Sequence, residues 1–281
     1  MATVLTEDGV ELYYELISGG PTVAFVPTIG LGAWQWAWQH EAIAGPYQTL
    51  AFDLRGTGRS GHPEESFDVD RLVADLEAVL ADAGCRRVHL VGQGFGGLLA
   101  LEYARQFDRA RSLALFATPD GSAEPVDASR QRIEQRVAVN ASDLDAERLR
   151  QSLSALLSAD FRDAQPEVVD GIVEWRTDDD ATPDGWQAQL AAFDGYTREW
   201  PLYELSLDTL LCQGTADELV DPECSRRLAD GLPNVEYVTF EDAGHLVTVE
   251  RSRPLNDRLL GHLEDAANLD TTADNGDGID W

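Results

Sequence analysis

The segment Val91-Gly92-Gln93-Gly94-Phe95-Gly96-Gly97 constrains this chain more than any other. It closes an apolar run at 87–91 that reads as a strand, and it opens a run with helical spacing at 96–107. A chain that passes from strand to helix in so few residues turns sharply, and the backbone on either side of the apex leaves no room for a Cβ. Gly92 and Gly96, two before and two after Gly94, meet that requirement. Gly94 stands at the apex itself and has no side chain to present.

The neighbouring segments alternate. Strand-like runs at 10–16, 22–27, 49–53 and 112–117 are separated by a helix-like stretch at 33–43 and a helix over 67–84. In that helix Leu72, Val73, Leu76, Val79 and Leu80 share a face, and Gly84 ends it. This rhythm predicts an α/β fold, a mostly parallel sheet with helices on both faces. The rhythm breaks between Pro119 and about Ser206, where helix follows helix past Pro166, Asp178-Asp179-Asp180 and Pro183. It resumes with strands at 207–214 and 235–240 and helices at 222–232 and 253–266.

The expected organisation is a core of 1–118 and 207–266, a helical cap at 119–206, and an acidic disordered tail at 267–281. The cap carries Trp175, Trp186, Phe193, Tyr196 and Trp200; most should pack its helices together and one or two should face a pocket. Asp274-Asn275-Gly276-Asp277-Gly278 in the tail lacks the ligand spacing and distal Glu of a calcium loop, so no metal site is expected.

Charge narrows the partners. Acidic residues number 51 against 21 basic ones, for a net charge of −30. Every basic residue is Arg and Lys is absent, while Asp (30) exceeds Glu (21). Such self-repulsion strains a compact state in dilute buffer, but at molar salt the Debye length falls to about 3 Å and screens it. The composition is of the haloarchaeal type and predicts a high-salt cytoplasm. Nucleic acid and anionic membranes, which need a positive footprint, are excluded as partners. Residues 1–20 lack the basic start of a targeting segment, and no apolar run approaches the roughly 18 residues of a membrane span. Cys85, Cys212 and Cys224 have no metal spacing and are expected to be free and buried.

Three more motifs lie along the chain: Asp53-Leu54-Arg55-Gly56-Thr57-Gly58-Arg59-Ser60; Gly214-Thr215-Ala216-Asp217 at a strand end; and Ala243-Gly244-His245 followed by Val249-Glu250-Arg251. With the glycine turn, in this order, they resemble the α/β-hydrolase superfamily from about residue 9 to residue 266, and its enol-lactonase-like branch in particular. The resemblance makes the 92–97 turn a nucleophile elbow with Gly94 in the nucleophile's position, Asp217 the triad acid and His245 the catalytic histidine. A carboxylate on one ring nitrogen fixes the tautomer of such a histidine and leaves the other nitrogen for substrate. The resemblance also implies an oxyanion hole of backbone amides, from Phe95 and from Ile29 or Gly30. Many members carry His-Gly in that second loop; here the residues are Pro27-Thr28-Ile29-Gly30, and enol-lactonases lack the His-Gly too. Trp34, Trp36 and Trp38 just beyond read as packing.

Without a serine three readings stand. In the first, His245 and Asp217 act as a general base on a small lactone, ester or diketone-like substrate, with no cofactor. In the second, the chain is a non-catalytic binding protein that keeps the pocket. In the third, Thr28 or Thr118 supplies a nucleophile, which nothing in the spacing supports. An outsider reads Gly92-x-Gly94-x-x-Gly97 as a dinucleotide fingerprint with Asp120 on the ribose, but leaves Asp217, His245 and the Asp53 loop unexplained.

Overall fold

Strand β3 comprises Thr22–Val26, and its side chains sort by parity. Ala24 and Val26 join one buried apolar layer and Val23 and Phe25 the other, as the two-residue period of a strand requires. The strands beside it repeat the pattern, so both faces of the sheet are covered. The computed structural model describes residues 2–138 and 146–274.

Among the described residues the other strands are β1 (Ala2–Leu5), β2 (Glu11–Ile17), β4 (Gln48–Phe52), β5 (Val88–Gln93), β6 (Ala110–Phe116), β7 (Asp208–Gly214) and β8 (Val235–Phe240). They form one sheet in the order β1-β2-β4-β3-β5-β6-β7-β8. The pairs β1/β2 and β2/β4 are antiparallel and all the others parallel. The mostly parallel α/β sheet expected from the sequence is therefore the observed one. β1 was not foreseen: four residues with alternate side chains exposed give little periodic signal.

The helices are α1 (Ala37–Ile43), α2 (Val69–Asp82), α3 (Phe95–Gln106), α4 (Ala123–Arg136), α5 (Ala146–Leu156), α6 (Ala159–Ala164), α7 (Pro166–Asp179), α8 (Pro183–Ala192), α9 (Pro222–Gly231), α10 (Val247–Glu250) and α11 (Ser252–Asp274). Leu72, Leu76 and Leu99 of α2 and α3 share the layer of Ala24, while Leu255, Leu259 and Leu263 of α11 share that of Phe25. Helices α4 to α8 all fall between β6 and β7. α11 is helical to Asp274, beyond the Ala266 at which the sequence pattern ends its last helix. Residues 275–281, the rest of the expected tail, lie outside the described residues.

Within the insertion Phe193 and Tyr196 meet edge-on with centroids 5.9 Å apart. The other ring–ring contacts of its aromatics among the described residues run to the core, whereas packing of the inserted helices together was expected. Phe193 stands edge-on to Phe95 at the start of α3 with centroids 4.5 Å apart, and Trp175 meets Trp34 and Trp38. Tyr196 and Trp200 donate to Glu102 of α3. Flat rings dock the inserted helices onto the loops and helix below them, where apolar area is worth most. The cysteines are free and buried.

Candidate active site

Parallel strands end together, so the loops after β3, β5, β7 and β8 meet at one edge of the sheet, the position where open α/β sheets bind ligands. The loop after β5 is the glycine turn. Gly94 has φ +54° and ψ −123°, a conformation strained for any L side chain. A Cβ on Gly96 would lie 2.2 Å from the carbonyl oxygen of Val26, and one on Gly92 2.6 Å from that of Gly96. Both glycines are set by backbone packing. A Cβ on Gly97 would strike Thr118, and Asp120 is paired with Arg227. Glycines and acid are thus all engaged within the fold, and neither is left to serve a dinucleotide.

The loops after β7 and β8 bring Asp217 and His245 together. His245 Nδ1–H donates to Asp217 Oδ2 at 2.9 Å, with both side chains buried. Asp217 Oδ1 accepts from the amides of Leu219 (2.9 Å) and Val220 (3.0 Å), and its Oδ2 also accepts from Gln213 Nε2 (3.1 Å). Gln213 is held in turn by Ser225 Oγ at 2.7 Å. A carboxylate that takes only hydrogen bonds stays an acceptor, so the Nδ1 hydrogen belongs to His245 and its Nε2 is the acceptor. Nε2 lies 3.2 Å from where a Cβ on Gly94 would stand.

The histidine loop is braced on two sides. Gln93 Nε2 donates to the carbonyl oxygen of His245 at 2.8 Å. Glu250 Oε1 accepts from the amides of Gly244 (2.9 Å) and Ser158 (2.8 Å), and its Oε2 from Ser158 Oγ (2.5 Å). Glu250 thereby clasps the loop to the start of α6.

The amides on the other side are taken up within the protein. Phe95 N–H donates to Thr28 Oγ1 at 3.3 Å, and Gly30 N–H to Gln189 Oε1 of α8 at 2.6 Å. Gln189 Nε2 reaches the carbonyl oxygen of Arg55 and Thr57 Oγ1, both at 2.7 Å. Gly30 has φ +77°, and the Trp186 ring lies where its Cβ would be. Ile29, between Thr28 and Gly30, is buried. In the sequence Thr28 figures only as a nucleophile that the spacing does not support, and Gln189 not at all. Thr118 lies away from this cluster, against Gly97, with its hydroxyl on the carbonyl of Phe116.

The Asp53 loop supports the site from below. Asp53 accepts from the amides of Ala33 and Arg59 (both 3.1 Å), and burial pushes its carboxyl above the usual range. Arg55, buried, pairs with Asp75 at 2.6 Å and Asp8 at 2.8 Å, and holds the Asp8 carboxyl well below the usual range. Trp36 stacks on Phe25 at 5.1 Å, and Trp34 Nε1 donates to Asp180 at 2.8 Å, so these tryptophans are structural.

Sheet order, the sharp turn after β5 and the buried histidine–carboxylate pair define a class. The alpha/beta hydrolase family profile matches residues 23–258, and the chain belongs to that family. Among curated relatives it is 28% identical to a protein of Azorhizobium caulinodans provisionally named carbamate hydrolase RutD, over 89% of this chain and 94% of that one. Among solved structures it is similar to the enol-lactonase from Burkholderia xenovorans LB400, with TM-score 0.79 and 23% identity over 94% of this chain and all (100%) of that one. It is also similar to a thermophilic esterase from Thermogutta terrifontis, with TM-score 0.79 and 25% identity over 94% and 98% of the two chains. No helix among the described residues is long and apolar enough to cross a membrane.

Proposed function

We propose that the protein hydrolyses a small acyl compound, of the lactone, ester, carbamate or diketone class, with His245 as general base and no covalent bond to the enzyme. The observation that carries this reading is the direction of His245: Nδ1 is fixed on Asp217 and Nε2 is aimed at a Gly94 that offers no hydroxyl. With nothing at 94 to attack, the base acts on water. Nε2 takes a proton as the water oxygen bonds to the carbonyl carbon, and the imidazolium is stabilised by Asp217. The developing oxyanion is received by the Phe95 amide, with that of Ile29 or Gly30 as second donor. Collapse expels the leaving oxygen or nitrogen or, from a diketone, the enolate carbon, and the leaving group recovers the proton from Nε2. The inserted helices α4 to α8 act as the cap that selects the substrate. The names of the provisionally assigned carbamate hydrolase and of the esterase support the substrate class.

The working environment in this reading is a cytoplasm at molar salt, supported by the charge of −30 and the absence of Lys. A second reading, a binding protein that has lost turnover, draws on one observation: the Phe95 and Gly30 amides are occupied by Thr28 and Gln189. A panel of activated esters, lactones and carbamates in molar KCl separates the two. Turnover by the native protein, abolished in His245→Ala with the fold intact, supports the hydrolase. No turnover across the panel supports the binding protein.

A further inference from the structure

We propose that the Thr28 hydroxyl has taken over the place of a side chain at 94 and positions the attacking water; this rests on the hydrolytic reading of His245 given above. The ground is steric. A Cβ on Gly94 would come 2.6 Å from Thr28 Oγ1 and 3.3 Å from Thr28 Cβ. A side chain at 94 and the side chain of Thr28 claim one volume, and this chain gives it to Thr28. Thr28 is also held where it stands. It is buried, Phe95 N–H donates to its Oγ1 at 3.3 Å, and its own amide donates to Gln35 Oε1 at 3.2 Å. Gln35 is buried too, its Nε2 bonded to the carbonyl oxygen of Gly32 at 3.1 Å.

The chemistry follows from counting lone pairs. A threonine oxygen carries one hydrogen and two lone pairs. At rest one lone pair takes the Phe95 amide and the second remains for a water; when that amide turns to the oxyanion, the hydroxyl oxygen still has a lone pair for the water. His245 Nε2 is an acceptor facing the same small space, 3.2 Å from the point that Thr28 Oγ1 approaches to 2.6 Å. A water shared by two acceptors spends both hydrogens on them and turns a lone pair toward the substrate, the orientation that attack on a carbonyl requires. The step balances. The water oxygen bonds to carbon, one hydrogen passes to Nε2, and the carbonyl π pair moves to oxygen. When that pair returns, the bond to the leaving group breaks and the leaving group takes the proton from Nε2. Thr28 changes no bonds; it is a positioning residue. No hydrogen bond joins Thr28 Oγ1 to His245 among the described residues, so the histidine is not arranged to draw a proton from Thr28 itself.

The test uses p-nitrophenyl acetate and dihydrocoumarin with the full chain in molar KCl. Thr28→Val keeps the shape and removes the hydroxyl. Its kcat should fall by about tenfold to a hundredfold with KM little changed and the pH profile unmoved, and Thr28→Ser should restore kcat. A second arm needs no natural turnover. Gly94→Ser should react slowly with a fluorophosphonate probe, because Thr28 crowds the new hydroxyl and holds the Phe95 amide. Gly94→Ser/Thr28→Gly should react about tenfold faster or more. Thr28→Val turning over like the native protein, or equal labelling of the two serine variants, overturns the role of Thr28. Acyl groups found on Thr28 by mass spectrometry overturn it also, in favour of a nucleophile. His245→Ala distinguishes the two levels: full activity there sinks the hydrolytic reading itself, whereas its inactivity beside an active Thr28→Val sinks only this inference.

Discussion

The two sides of the site differ in how complete they are. On the β7–β8 side Asp217 accepts three hydrogen bonds besides that of His245, and both residues are buried and fixed before any ligand arrives. On the β3–β5 side the apex is a glycine, and the Phe95 and Gly30 amides are bonded to Thr28 and Gln189. The first side is preorganised to move a proton; the second must give up its internal bonds before it can receive an oxyanion. In the proposed reading the departure from a serine hydrolase lies on one side only, where Thr28 and Gln189 hold the amides of Phe95 and Gly30.

The largest effect should come from the complete side. His245→Ala should lower kcat by about 10³-fold or more, and Asp217→Asn by a comparable factor, because the amide would impose the wrong tautomer on the imidazole. Circular dichroism should show both variants folded. Loss of only a few-fold would mean that the preorganised pair is not the working half. Next in size is the coupling between the sides. Restoring a hydroxyl with Gly94→Ser/Thr28→Gly should produce a burst on p-nitrophenyl acetate, since base and amides then face a serine. If the double variant gives no burst while His245 remains in place, the β3–β5 side differs by more than Thr28 and Gly94.

Smaller effects concern the braces. Glu250→Ala leaves the amides of Gly244 and Ser158 without their acceptor, a cost of about 2–4 kcal/mol. The melting temperature should drop by several degrees, and kcat should fall with it as the histidine loop loosens. An unchanged melting temperature would show that the loop does not depend on the inserted helices. The smallest and least local effect is salt. Between about 0.1 M and molar KCl the melting temperature should rise as the Debye length contracts from about 10 Å to about 3 Å, and both sides of the site should gain alike. A flat or falling curve would reject the high-salt reading.

What the sequence made legible follows the same division. Asp217 and His245 stand in short motifs at strand ends, so their approach needed only the sheet order to bring them together. Gly92 and Gly96 were readable because their requirement is local: backbone within a few residues, or on the adjacent strand, fills the place of each Cβ. Thr28 was not, since its contact is with an amide 67 positions away and turns on sub-ångström crowding at Gly94. Gln189 lies 159 positions from Gly30, in a helix whose sequence carries no motif. The partners of Trp175 in α7 and Trp186 in α8 could not be read from the sequence, because apolar periodicity marks a face without saying what covers it. α11 extends past Ala266 to Asp274, where polar and acidic residues give no apolar period to mark the helix end.

In the proposed hydrolysis the histidine–carboxylate pair works on water, and no acyl group passes through the enzyme. Rapid-quench kinetics of the native protein with p-nitrophenyl acetate, read by intact-protein mass spectrometry, tests it most directly. Release of p-nitrophenol should be linear from the first turnover, and the enzyme mass should never gain an acetyl group. A stoichiometric burst with an acetylated protein would contradict it.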